Sequence, residues 1–222
     1  MARRRTYGDR CGIARALDVV GERWALLVVR ELLLGPKRFT DLRTGLPHVS
    51  PDVLAQRLRE LERDGVVRRR TLAPPAGSKV YELTDRGREL EPVVLELGRW
   101  GAGEPFPSGD ARLGPDSAVI ALLTVFNPAT ADGLDATYEL RLDDQVFRAR
   151  VADARVDFAR GTAQDPDATI ETDPATLADV LWRGRTLAAA ERRGELTIDG
   201  SRRAAGRFLR LFRAPQSGGP LE

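Results

Sequence analysis

Between residues 36 and 84 the spacing of apolar side chains changes three times, and each change predicts a different element. Leu54, Leu58 and Leu61 stand at i, i+4 and i+7, which puts them on one side of a helix, while Asp52, Gln56, Arg59 and Arg63 fall opposite. Ser50 is a helix-capping residue followed by Pro51, whose fixed φ and missing N–H suit a first helical position. Upstream, Phe39 and Leu42 anchor a short helix over 40–44, and a Leu-Pro-His turn separates the two. Gly65 stops the second helix, because glycine takes the left-handed conformation without steric cost. Residues 66–72 and 79–83 then read as two strands around a Pro- and Gly-containing loop at 73–78. Helix, turn, helix and hairpin is the order in which DNA-reading heads are built. Any solvated helix carries Arg, Gln and Asp opposite its leucines; here the neighbouring elements favour a contact face.

The rest of the chain extends this pattern. Ile13, Leu17 and Val20 predict a helix over 11–20, and a helix over 23–34 is apolar around most of its surface, so it forms the centre of a helical core. A long helix capped by Thr84 and ending at Trp100 carries Leu90, Val93, Val94, Leu97 and Trp100 as one stripe. Either that stripe packs on its own domain or it forms a two-fold dimer interface, the reading favoured here. A dimer would set two reading helices about 34 to 36 Å apart on a palindromic site. Residues 101–117 have a linker's composition. Beyond them Tyr138, Leu140 and Leu142 alternate with Glu139 and Arg141, and further strands are expected over 146–151, 154–159, 168–174 and 194–200. Asp173-Pro174 starts a helix bearing Leu177, Leu181 and Trp182, and Phe208, Leu209, Leu211 and Phe212 give the last helix its apolar face. The expected fold is α+β. A winged helix-turn-helix occupies 1–103, a linker 104–116, an antiparallel sheet covered by helices 117–214, and a disordered tail 215–222.

Charge supports a nucleic-acid partner for the first half. Residues 1–81 carry 17 Lys+Arg against 9 Asp+Glu, whereas residues 105–222 carry 15 against 18, so the basic half faces the polyanion. Lysine occurs only at 37 and 79, leaving arginine, the side chain suited to bidentate phosphate and guanine contacts, to supply the remaining cations. The geometry of the predicted helix nominates Gln56 and Arg57 as base readers, and Arg38, Thr40, Ser50, Arg59, Arg70 and Lys79 as phosphate contacts. Pro51, Asp52 and Val53 at the helix front, and Ser78 in the wing, complete the expected surface on double-stranded DNA.

Other chemistry is sparse. Cys11 is the single cysteine and His48 the single histidine, so neither an intrachain disulfide, a thiolate zinc set nor a nucleophile–base pair is legible. No catalytic residue, metal or cofactor is expected; His48 reads as a solvated turn residue. No apolar run approaches a spanning helix, and the start lacks a signal peptide's apolar region, which predicts a cytoplasmic protein with no membrane association.

Taken together, Cys11, 16–21, Trp24, 30–32, 35–39, Leu42, 50–61, Asp64-Gly65, Arg69-Arg70, 81–84, Gly87 and Trp100-Gly101 resemble the HxlR-type winged helix-turn-helix regulators of bacteria. The resemblance implies a homodimer on operator DNA and makes Cys11, beside Arg10 and Arg15, a candidate redox sensor; the alternative is an inert buried thiol. At the wing, 76–78 make a softer tip than the family pattern. Residues 117–214 look like a sterol-carrier-type lipid-binding domain. That likeness implies a pocket for a hydrophobic small-molecule effector among Phe126, Phe147, Phe158, Trp182, Phe208 and Phe212, which as plain residues fill a core equally well. The alternative function is a lipid or hydrophobic small-molecule binding protein whose winged head makes protein contacts.

Overall fold

In the folded chain the leucines at 54, 58 and 61 form a buried seam, each 1% exposed or less. The computed structural model describes residues 6–73, 77–104 and 112–212. The expected basic start before Thr6, the wing tip at 74–76, the middle of the expected linker and the expected tail at 215–222 lie outside the described residues. The chain divides into two units, Met1–Val94 and Leu95–Glu222.

The first unit opens with α1 (Gly12–Val20) and α2 (Ala25–Leu33). Of the α1 stripe only Val20 is buried, and Ile13 is 73% exposed. By contrast α2 buries Ala25, Val28, Val29 and Leu32, which makes it the scaffold that its uniform apolarity predicts. Helix α3 (Phe39–Gly45) and helix α4 (Pro51–Arg63) follow, then β1 (Val67–Thr71) and β2 (Lys79–Leu83). The strands pair antiparallel, Arg69 opposite Tyr81. Lys37 extends the hairpin: its N–H donates to Tyr81 O at 3.0 Å, and its carbonyl accepts from Tyr81 N–H at 2.8 Å.

A buried ion pair that the pattern did not predict joins these elements. Lys37 Nζ lies 2.5 Å from Glu31 Oε2, with 6% and 1% of the two side chains exposed, and Arg30 Nη2 lies 2.8 Å from the other carboxylate oxygen. A Cβ on Gly45 would sit 2.2 Å from Glu31 Oε2, so glycine lets the end of α3 close over the carboxylate. Burial pushes the Glu31 carboxyl up, but Lys37 and Arg30 outweigh it and hold it below its ordinary value.

The expected single helix from Thr84 to Trp100 is two helices, α5 (Asp85–Arg88) and α6 (Glu91–Gly101). Pro92 has no N–H to donate to the Arg88 carbonyl, so the helical ladder cannot run through. Thr84 caps α5 as expected, accepting from Gly87 N–H at 3.0 Å. On α6, Val94 is buried, whereas Val93, Leu97 and Trp100 are 50%, 49% and 74% exposed.

In the second unit α7 (Pro115–Val125) is buried along most of its length. The sheet follows as β3 (Ala136–Leu142), β4 (Gln145–Ala152), β5 (Arg155–Arg160), β6 (Ala168–Thr172) and β7 (Leu196–Gly200), in the order β5-β4-β3-β6-β7. It is mixed, not antiparallel throughout: β3 and β6 run parallel, with Leu140 opposite Ile170. With β5 at one edge, the chain must cross β4 and β3 to add β6, and it re-enters in the direction of β3. Buried Glu139 holds the crossing segment, accepting from Ala163 N–H at 2.7 Å. The opposite face presents Tyr138, Leu140, Leu142, Phe147 and Ala149, all buried. Helices α8 (Pro174–Trp182), α9 (Leu187–Arg192) and α10 (Arg202–Arg210) complete the unit. Asp173 caps α8, accepting from the N–H groups of Ala175 and Thr176 at 2.9 Å each.

Breaking the Glu31–Lys37 pair from one side leaves a buried charge unpaired, so Glu31→Gln should cost about 3 to 5 kcal/mol in urea denaturation. Because the native Glu31 carboxyl sits below the ordinary 4.5, its contribution is complete above that pH. It disappears as the pH falls through the depressed native value. Wild type should therefore lose stability on acidification more steeply than the Glu31→Gln variant, and parallel stability–pH curves would refute this account.

Candidate nucleic-acid interface

Helix α4 owes its orientation to its leucine seam: with Leu54, Leu58 and Leu61 turned inward, Pro51, Asp52, Val53, Gln56 and Arg59 are left exposed. Ser50 Oγ accepts from Val53 N–H at 3.4 Å, so the expected phosphate contact also serves as the cap. Its hydroxyl proton stays available to a second acceptor. Beside it, the Arg38 N–H donates to Asp41 Oδ2 at 3.0 Å and starts α3, leaving the Arg38 side chain exposed. Thr40 is exposed and its hydroxyl lies 3.3 Å from Asp41 Oδ1. His48 is exposed in the turn between α3 and α4.

Arg57 is not placed as a base reader. It is 8% exposed, with one guanidinium nitrogen on Glu60 Oε2 and the other 3.7 Å from Glu22 Oε2. One position after Gln56 is a turn of 100°, which carries the side chain from the outer surface to the flank that packs on the turn after α1. Arg70 is exposed, but its Nε lies 3.0 Å from Glu82, a carboxylate it shares with Arg68 at 2.7 Å. The three together present one net positive charge. Arg69 is engaged as well, donating to Tyr81 Oη at 2.7 Å from above the tyrosine ring.

Among the described residues Arg38, Arg59 and Lys79 of the expected phosphate contacts are exposed and have no carboxylate partner, and the same holds for Arg43, which the sequence reading missed. Its signal was available: Arg43 follows Thr40 by three positions and adjoins buried Leu42, so it shares the outer face of α3 with Thr40. Ser78 is half-buried, and its carbonyl accepts from Leu72 N–H at 2.9 Å, closing the base of the wing.

Cys11 is exposed, contrary to the reading of an inert buried thiol, and precedes the first residue of α1. Its N–H donates to Asp9 Oδ1 at 2.9 Å. No group of three or more His, Cys, Asp or Glu side chains able to hold a metal occurs among the described residues.

Of the six aromatic positions expected to line an apolar pocket, Phe126, Phe158, Phe208 and Phe212 pack against one another. Phe208 and Phe212 lie 4.9 Å apart, Phe158 stands 6.1 Å from Phe212, and Phe126 stands 6.0 Å from it. Tyr138 stacks 4.5 Å from Phe208, and Trp182 Nε1 donates to Phe212 O at 3.0 Å. With Phe147, Phe208 and Phe212 fully buried, these rings fill the space between sheet and helices. Two open hollows, of about 620 and 350 Å³, are lined by other residues: the first by Arg15, Asp18, Arg86 and Glu89 among others, the second by Arg148, Arg150 and Asp157 on the crossover face.

Residues 19–105 match the family model of the HxlR-like helix-turn-helix, and residues 116–218 match that of the alkyl sulfatase C-terminal region. The transcriptional regulator YvaP of Bacillus subtilis (strain 168) is 40% identical over 86 residues, covering 39% of this chain and 80% of that protein. YodB, a transcriptional regulator of the same strain, is 36% identical over 85 residues, covering 38% and 76%. The oxidized form of the redox regulator HypR superposes with a TM-score of 0.41 at 35% identity, covering 44% of this chain and 100% of that one.

The contrast between neighbouring arginines of α4 is measurable. Arg57→Ala should destabilise the fold by roughly 1 to 3 kcal/mol, because it strips a buried partner from Glu60, while Arg59→Ala should stay within about 0.5 kcal/mol of wild type. Equal denaturation midpoints for the two variants would contradict this placement.

Proposed function

The chain belongs to the HxlR-like helix-turn-helix family, and from that premise we propose that it binds operator DNA as a homodimer, with α4 in the major groove. That it is a DNA-binding transcriptional regulator follows from its relatives. The observation that carries the finer reading is the exposed strip Pro51, Asp52, Val53, Gln56 and Arg59, opposite a leucine seam that fixes which side faces out. Gln56 reads a base, its amide matching the donor and acceptor edge of adenine. Ser50, Thr40, Arg38, Arg43, Arg59 and Lys79 grip phosphates and set the register. Arg70, already neutralised in part by Glu82, contributes less.

The dimer is supported by α6, which leaves Val93, Leu97 and Trp100 exposed at helical spacing; solvated apolar stripes of this kind are uncommon on monomers. No helix among the described residues is long and apolar enough to cross a membrane. Its relatives' role in regulation supports reading the chain as a non-enzyme. The mixed sheet with helices on its apolar face is what a sterol-carrier-like reading of the second unit has in its favour, while the ring contacts among Phe126, Phe158, Phe208 and Phe212 favour the filled-core reading of those positions.

Binding to a fixed duplex across a salt series tests the head. Lys79→Ala should weaken all duplexes alike and reduce the slope of log affinity against log salt by about 1, whereas Gln56→Ala should relax preference at one base position. The reverse pattern would overturn these roles. For the dimer, sedimentation of Trp100→Asp combined with Leu97→Asp should report a monomer where wild type sediments as a dimer, and an unchanged mass would refute the α6 interface.

A further inference from the structure

Gln56 is exposed, yet its side chain is already committed to one direction. Its Nε2 donates to Glu60 Oε1 at 3.1 Å. The other carboxylate oxygen of Glu60 is held by Arg57 Nη1, and Arg57 Nη2 lies 3.7 Å from Glu22, in the turn after α1. Three side chains of α4, at 56, 57 and 60, are thereby linked in a chain that begins on the outer strip and ends at the turn between α1 and α2. Glu60 is half-buried and Arg57 nearly fully buried, so packing holds the link behind Glu60, while Glu22 beyond it is exposed.

An ionised carboxylate can only accept hydrogen bonds. Glu60 therefore takes one amide proton of Gln56 and cannot face the amide oxygen. The oxygen and the second N–H of Gln56 are left pointing away from Glu60, side by side. That pair is complementary to the N6 donor and N7 acceptor on the major-groove edge of adenine. An untethered glutamine would present either end of its amide, and would lose its rotamer freedom only on meeting the base.

We propose that Glu60 is a positioning residue for base recognition: it orients the Gln56 amide before DNA arrives, and Arg57 with Glu22 anchors Glu60 in turn. The inference rests on the reading of α4 as the groove-entering helix. It assigns Glu60 a part in specificity without any contact to DNA. It also gives a reason for a buried arginine next to the reading residue: Arg57 supports the reader from behind.

The test uses the full-length chain and a synthetic duplex pool randomised over 20 base pairs, bound, recovered and sequenced, with melting temperature measured for each variant. Gln56→Ala should flatten preference at one position per half-site by roughly tenfold. Glu60→Met keeps the volume, removes the acceptor, and should flatten the same position by severalfold, leaving preference elsewhere and the salt slope unchanged. In the Gln56→Ala background, Glu60→Met should have no further effect on preference. Glu60→Gln, which retains a carbonyl acceptor, should keep most of the preference even where its melting temperature falls with the loss of the Arg57 ion pair. The proposal is overturned if Glu60→Met leaves the Gln56 position as selective as wild type. It is overturned too if Glu60→Met and Glu60→Gln weaken every position together in step with melting temperature, the mark of a merely structural role. A wild-type chain that enriches no sequence refutes the underlying reading of α4 instead, and the two failures are distinguished by that control.

Discussion

Lys37 ties the first unit together. Its backbone pairs with Tyr81 on both sides of the peptide, which joins the start of α3 to the wing strand. Its ammonium is buried on Glu31, which joins the same point to the last turn of the scaffold helix α2. Since a buried charge is tolerated only when it is paired and hydrogen-bonded, α2, α3 and the hairpin cannot shift independently without exposing or stranding one partner. Gly45 belongs to the same constraint, because any side chain there would drive into the Glu31 carboxylate. Helix α3 and the hairpin thus hang from one polar pin on α2 inside an otherwise apolar core.

From that pin outward, α4 is positioned by apolar burial. Three leucines with no appreciable exposure fix its rotation. Losing any one of them would cost on the order of 2 to 5 kcal/mol, several times the weight of a surface ion pair. Polar residues therefore take whatever place the leucines leave. Gln56 and Arg59 fall outside and Arg57 falls on the flank, so two adjacent residues of similar polarity have opposite roles. The wing shows the same economy: of its arginines, Arg68 and Arg70 share one carboxylate and Arg69 is bound to Tyr81. Lys79 is exposed and has no carboxylate partner among the described residues.

In the second unit, chain connectivity decides what alternation cannot. Period-two patterning marks each strand and its apolar side, but it carries no information on neighbours. The crossing held by Glu139 puts β6 beside β3, makes that pair parallel, and leaves a polar face on one side of the sheet and an aromatic core on the other. Whether aromatic residues line a cavity or fill it depends on distances of an ångström or two between rings, which only packing supplies.

The sequence by itself determined the main elements of the head, the cap at Ser50 and the leucine seam, because these follow from periodicity and capping chemistry acting over a few positions. It also indicated a basic first half, since charge counts do not depend on the fold. Tertiary structure decided the rest: that Glu31 and Lys37 meet, that Pro92 divides one expected helix into two, that Arg57 is buried against Glu60 and Glu22, that Arg43 has no carboxylate partner among the described residues, that Cys11 is exposed, and that the sheet is mixed. Each of these turns on contacts between residues distant in the chain or on a rotation of one helical position. Local pattern cannot encode them, and burial of apolar surface together with the pairing of buried charge settles them.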